Sequence, residues 1–161
     1  MNFTFTTEQT IRRTDEIAEY MSEPRLWIPQ TDYPDFDKWM QRVHIQLRSE
    51  TKRAVLALCS GHLAGVIVYQ HHKERADTLE IKNVTVRPDV RGRHVASFLL
   101  RNAEIEGCHD FHTSSVVTDA KADNLAIRSF LLKGGYLPMT CVDLYGLRSG
   151  RDIVYRKHIG P

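Results

Sequence analysis

Two arginines, a glycine and a histidine stand together at Arg91-Gly92-Arg93-His94, directly after a β-branched run and directly before an apolar stripe of helical spacing. That placement suits an anion. The first amides of a helix have no partners inside it and the helix dipole is positive there, so phosphate oxygens are stabilised by backbone donors with guanidinium charge added. An ordinary turn with solvated arginines would show the same local pattern, which leaves the two readings even. Other groupings carry less chemistry. Cys108-His109 with His112 supplies at most three metal ligands at a helix end, with no partner pair elsewhere, and reads as a solvated loop with no metal. Ser114-Ser115 has no elbow glycine of the hydrolase kind.

The element that must position the basic turn is the strand before it. Ile81, Val84, Thr85 and Val86 favour an extended chain, and Pro88 ends it by restricting its predecessor and offering no amide. Leu79 and Ile81 place apolar side chains at odd positions, whereas Val84 and Val86 place them at even ones. Alternation in a strand has period two, so this parity change across Lys82-Asn83 predicts a β-bulge. A bulge bends the strand from its neighbour and leaves backbone groups free for a ligand, predicting an opening in the sheet near Asn83. On the far side of the turn, Val95, Ala96, Phe98, Leu99, Leu100 and Ala103 recur at helical spacing. The helix is expected from close to His94 to near Gly107.

The remaining elements can be placed around these. Asn2 to Phe5 alternates as a short strand. Thr6 and Gln9 have capping-box spacing before a helix whose buried stripe is Ile11, Ile17, Ala18 and Met21. A proline-punctuated loop with Trp27 and Tyr33 follows, and Asp35 or Asp37 is placed to cap a second helix to about Ser49. Arg53–Cys59 and His62–His71 read as a hairpin turned by Ser60-Gly61, and a second turn at Lys73 to Asp77 leads into the bulged strand. Thr113–Thr118 is a strand and Asn124–Lys133 a helix stopped by Gly134-Gly135. Tyr136–Leu144 and Asp152–Lys157 are the last strands.

A chain of 161 residues allows one domain with a proper core and is short for two, so residues 1–161 are expected to form a single domain. No apolar run approaches the roughly 18 residues of a membrane span. The amino terminus lacks the basic start and apolar stretch of a secretory signal, and three widely spaced cysteines suit reduced thiols, so a cytoplasmic protein without membrane contact is expected. A net charge of +2 is too small to argue for nucleic acid, whereas the clustering of basic residues between Arg87 and Arg101 argues for an anionic ligand at one place.

The segment from Val86 to Ala96, with Phe98-Leu99-Leu100 after it, resembles the acyl-CoA-binding motif of the GNAT superfamily of N-acyltransferases. That motif runs Arg or Gln, two residues, Gly, one residue, Gly or Ala. Arg91 and Ala96 match its ends, and His94 stands where the family has its central glycine. The order of elements also resembles the GNAT fold: a mixed α+β chain with a central, mostly antiparallel seven-stranded sheet, a bulged fourth strand and four helices on its faces. The resemblance implies acetyl-CoA as cosubstrate, without metal, held by Val84, Thr85, Val86, Arg91, Gly92, Arg93, His94, Val95 and Ala96. A second match, Asp123-Asn124 through Gly134-Gly135-Tyr136, implies that Asn124 touches the pantetheine arm. Seven residues beyond Asn124 many members carry a tyrosine proton donor; here it is Leu131, leaving Tyr136, Tyr145 and Tyr155 as nearby substitutes.

The activity implied is N-acetylation of a primary amine of a small molecule, peptide or protein by direct attack on the thioester. Some members place a catalytic carboxylate where Glu80 lies and others where Asp119 lies. Glu80 is favoured because it adjoins the predicted opening and a half-buried strand position raises a carboxyl's pKa, whereas Asp119 is expected at a strand end where carboxylates cap helices. Two alternatives remain. One is an aminoacyl-tRNA-acetylating toxin of the same superfamily, for which Arg148, Arg151, Arg156 and Lys157 are the basic candidates and tRNA the one nucleic-acid acceptor. The other is a non-catalytic CoA-binding module, and a homodimer is kept open for any of them.

Overall fold

The computed structural model describes residues 2–7, 10–26, 35–144 and 150–159. In chain order these form β1 (Phe3–Thr6), a 3-10 turn (Ile11–Arg13), α1 (Thr14–Met21), α2 (Phe36–Arg48), β2 (Arg53–Cys59), β3 (His62–His71) and β4 (Thr78–Val86). They continue with α3 (Val95–Phe111), β5 (Ser115–Lys121), α4 (Leu125–Lys133), β6 (Leu137–Val142) and β7 (Asp152–His158). The sheet has seven strands in the order β1-β2-β3-β4-β5-β7-β6, and only the β4–β5 pair is parallel.

β2 and β3 are buried along nearly their whole length, because helices cover both faces of the sheet there. One face packs Ala57, Ile67, Tyr69, Leu79 and Ile81 against Val95, Leu99 and Ala103 of α3 and Leu131 of α4. The other packs Ala54, Leu56, Val66 and Val68 against Ile17 and Met21 of α1 and Met40, Val43 and Leu47 of α2. Ser60 and Gly61 both have positive φ, 51° and 81°, which is the backbone a two-residue hairpin turn demands.

Several expected boundaries move. Thr6 does not open a capping box: it is the last residue of β1, paired with Leu56, and α1 begins only at Thr14. Ile11, expected in the buried stripe, is 53% exposed in the turn before the helix. Asp35 occupies the N-cap position of α2 but makes no side-chain capping bond. Gly107 does not end α3, which continues to Phe111. A Cβ at Gly107 would lie 2.3 Å from Leu79 Cδ2, so the glycine lets the helix press onto β4. β5 starts and ends later than expected, at Ser115 and Lys121, which places Asp119 inside the strand. β6 is the sheet's outer strand, and it tolerates Pro138, where its register with β7 shifts.

Candidate active site

The bulge lies at Lys82. Ile81 pairs with Tyr69 and Asn83 with Val68, so Lys82 has no partner residue on β3. On its other side β4 pairs with β5 only through Thr78, Leu79 and Glu80, opposite Ser115, Val116 and Val117. Beyond Glu80 the ladder stops, with one side-chain tie from Thr118 Oγ1 to the Ile81 carbonyl at 3.3 Å. The two parallel strands therefore part at the bulge, near the expected Asn83.

Register places the residues around this parting. Leu79, Ile81, Val84 and Val86 face the α3 side, whereas Glu80, Asn83 and Thr85 stand opposite Gln70, Val68 and Val66 and so share the α1–α2 face. In β5, Val116 and Ala120 belong to the α3 side, so Val117 and Asp119 take the α1–α2 face by alternation. Glu80 and Asp119 thus stand on one face on either side of the gap. Asn83 Oδ1 is buried there without a hydrogen-bond partner, an acceptor that a bound donor would satisfy.

At the far end of β4 the chain turns through Pro88–Val90 into the basic segment. Arg87 is held by Asp89 at 2.6 Å, and Arg91 Nε donates to the Val86 carbonyl at 3.0 Å, which ties the turn back to the strand. Gly92 has φ of 75° and His94 has φ of 60°, with His94 directly before the first residue of α3. This left-handed backbone is the physical reason for a glycine at the motif's central position, and it costs a histidine roughly 1 kcal/mol. Arg91, Gly92, Arg93 and His94 are exposed, Val95 is buried and Ala96 is half-buried. Gly65 of β3 brings the helix start close: a Cβ there would lie 2.9 Å from Leu99 Cδ1 and 3.1 Å from the Thr85 carbonyl.

Asn124 caps α4, its Oδ1 accepting from the Ile127 amide at 3.2 Å. Leu131 is 3% exposed in the α3-side core, so this position points into packing rather than toward solvent chemistry. Tyr136 is fully buried and its hydroxyl donates to Glu104 Oε1 at 2.9 Å; burial and the Glu104 charge push its pKa far up. Tyr155 is buried in β7 and accepts from Arg128 Nε at 3.3 Å. Tyr145, with Trp27, Tyr33 and Arg148, lies outside the described residues. Of the basic candidates on the last strand, Lys157 binds both oxygens of the buried Glu104 at 2.8 and 2.9 Å, and Arg156 donates to Ser115 Oγ at 3.2 Å. Both are partly buried and already bonded, whereas Arg151, just before the strand, is exposed.

A cleft of about 490 Å³ opens on the α1–α2 face, lined by Trp39, Arg42 and Gln46 of α2, Lys52, Gln70, the turn His72-Lys73-Glu74, and Glu80 and Lys82 of β4. Within it runs a chain of contacts. Lys52 Nζ donates to Gln70 Oε1, Gln70 Nε2 donates to Glu80 Oε2 at 2.6 Å, and Lys82 Nζ donates to Glu80 Oε1 at 2.8 Å. Burial pulls the Glu80 carboxyl upward, but the Lys82 bond and charge and the Gln70 bond outweigh it and leave its pKa below the usual glutamate value. This corrects the expectation of a raised pKa, which counted burial alone. Lys52 is pushed down to about 8, by burial first and then by the charge of Lys82. The sequence offered no direct sign of this chain, because Lys52, Gln70 and Glu80 meet only through the register of three strands. Cys108, His109 and His112 form no metal-binding group, and among the described residues no three His, Cys, Asp or Glu side chains come together as one.

The model of the acetyltransferase (GNAT) family matches residues 14–136, more than half of the chain. The chain belongs to the GNAT acetyltransferase family. No curated protein matches it by sequence. Solved structures share its fold: a GNAT-family protein from Desulfovibrio desulfuricans superposes with a TM-score of 0.79 at 12% identity, covering 99% of this chain and 100% of that one. The ribosomal-protein-S18-alanine N-acetyltransferase of Escherichia coli gives 0.74 at 19% identity, covering 99% and 96%. A PaiA N-acetyltransferase of Thermoplasma acidophilum, solved in complex with coenzyme A, gives 0.69 at 14% identity, covering 98% and 99%. This GNAT chain therefore shares the overall fold of these acetyltransferases.

Proposed function

We propose that residues 1–161 act as one N-acetyltransferase domain that moves an acetyl group from acetyl-CoA to a primary amine by direct attack. The observation that carries the reading is the parting of β4 from β5 beyond Glu80, with exposed arginines and the helix start of α3 at its outer end. Acetyl-CoA supplies the activated acyl group. Its pyrophosphate fits the amides from Gly92 to Ala96 and the charges of Arg91 and Arg93, and its pantetheine amides fit the backbone of Val84, Thr85 and Val86 that β5 leaves unpaired. Asn124 keeps its Nδ2 for that arm while its Oδ1 caps α4.

In the transfer, the amine nitrogen forms a bond to the carbonyl carbon, the carbon–sulfur bond breaks, and the electron pair leaves on sulfur. The ammonium must first lose a proton. Glu80 is ionised at neutral pH and takes that proton through water; its low pKa makes it a weak base, so the acceptor's own pKa must fall. The cations of the cleft, Arg42, Lys52, Lys73 and Lys82, lower it by repelling the ammonium. Asp119, on the same face across the gap, is the second candidate. A thiol leaves readily enough that a proton donor accelerates release without being required, and of the two described candidates, Tyr136 and Tyr155, it is Tyr155 whose hydroxyl hydrogen is not already given to a carboxylate.

The test is release of free thiol from acetyl-CoA in the presence of a panel of primary amines, with the acetylated amine identified by mass. Release that requires amine supports the reading. A protein that binds acetyl-CoA but releases no thiol with any amine of the panel would be a binding module instead.

A further inference from the structure

The cleft beside Glu80 holds four basic side chains, Arg42, Lys52, Lys73 and Lys82, against two carboxylates, Glu74 and Glu80. Glu80 is consumed by Lys82 and Gln70. Lys52, only 5% exposed, is bonded to the neutral amide of Gln70 rather than to a carboxylate. Arg42 and Lys73, both exposed, have no ion-pair partner among the described residues. A buried ammonium without a bonded carboxylate is costly, and several like charges around one concavity raise that cost unless something negative enters. The downward shift of Lys52 is the expected response to that environment.

We infer that the acceptor is a small amine that also carries an anionic group, a carboxylate or a phosphate, seated among Arg42, Lys52 and Lys73 while its amine meets the acyl group beside Glu80. This rests on the proposed acetyl transfer and narrows its substrate class. The size of the cleft suits such a molecule, since pockets for small ligands span roughly 300–1,000 Å³. Exposed Arg42 and Lys73 recruit the anion and the buried Lys52 binds it after desolvation, which gives a gradient from rim to floor. An amine with a second cation is repelled by the same groups.

The experiment compares acetyl transfer to 4-aminobutyrate, its uncharged amide 4-aminobutyramide, O-phosphoethanolamine and the dication putrescine, at equal pH and ionic strength. The expected result is a kcat/KM at least tenfold higher for one of the two anionic amines than for the amide, and lower still for putrescine; which anionic amine leads identifies carboxylate or phosphate. Arg42→Ala and Lys73→Ala, both at exposed positions, should each raise KM for the anionic amine several-fold while leaving KM for acetyl-CoA unchanged. Transfer to the amide or putrescine as fast as to the anionic amines overturns the inference and leaves the acetyltransferase reading standing. Absence of transfer to every amine, with acetyl-CoA bound, overturns both.

Discussion

Lys82 Nζ lies 2.8 Å from Glu80 Oε1, and the two side chains, each 22% exposed, sit together at the point where β4 leaves β5. Lys82 is the residue the bulge leaves without a partner on β3, so the same irregularity that opens the sheet also delivers a cation to the carboxylate proposed as base. That pairing holds Glu80 ionised.

Glu80→Gln should lower turnover by roughly 10²-fold, the usual size of a general-base loss, with little change in acetyl-CoA affinity. Asp119→Asn should reduce turnover less. Steady-state kinetics on both, with circular dichroism to establish folding, decides between them: a folded but inactive Asp119→Asn beside an active Glu80→Gln moves the base to β5.

The pH dependence has a stated sign for each group. Glu80 has a folded pKa below its unfolded value, so its contribution to stability is present above the unfolded value near 4.5 and is lost as pH falls through the lower folded value. Lys52 has a folded pKa of about 8 against 10.5, so between those values the unfolded chain binds more protons and stability from this group rises with pH. Thermal melts from pH 7.5 to 10 should show that rise, and Lys52→Met should flatten it; an unchanged slope in the variant would assign the effect elsewhere.

His94→Gly removes a β-carbon from a left-handed position and should raise stability by up to about 1 kcal/mol, partly offset by the entropy of a glycine in the unfolded chain. It should also tighten acetyl-CoA binding by opening the backbone to the pyrophosphate. Weaker binding in calorimetry would show instead that the imidazole itself holds phosphate.

Gly107→Ala should destabilise by roughly 1–3 kcal/mol, although alanine is the better helix former, because the new methyl would meet Leu79 inside the core. Chemical denaturation measures this, and a stabilised variant would mean that α3 can lift from β4 freely.

The local parts of this fold were legible. The parity change between Ile81 and Val84 located the bulge, and Ser60-Gly61 located the hairpin, because each feature is written in consecutive residues. Gly107 reads in the sequence as a helix stop, whereas its reason lies in Leu79, 28 positions earlier in the chain. Thr6 and Gln9 matched a cap, but strand pairing with Leu56 takes Thr6 into the sheet. For the candidate site, the basic turn could be read from its own residues, whereas the chain from Lys52 through Gln70 to Glu80 could not. Those side chains meet only once β2, β3 and β4 are in register, and it is their contact with Lys82 that reversed the expected shift of Glu80.

The central claim, that acetyl-CoA is held at the turn from β4 into α3, is tested most directly by titrating it into the protein in a calorimeter at low and moderate salt. Saturable heat with one site per chain, an affinity that falls as salt rises, and a loss of about tenfold or more in Arg91→Ala together with Arg93→Ala are predicted, since both exposed guanidiniums add screened charge to the helix-start amides. No saturable heat at millimolar acetyl-CoA, or binding indifferent to both arginines, would contradict it.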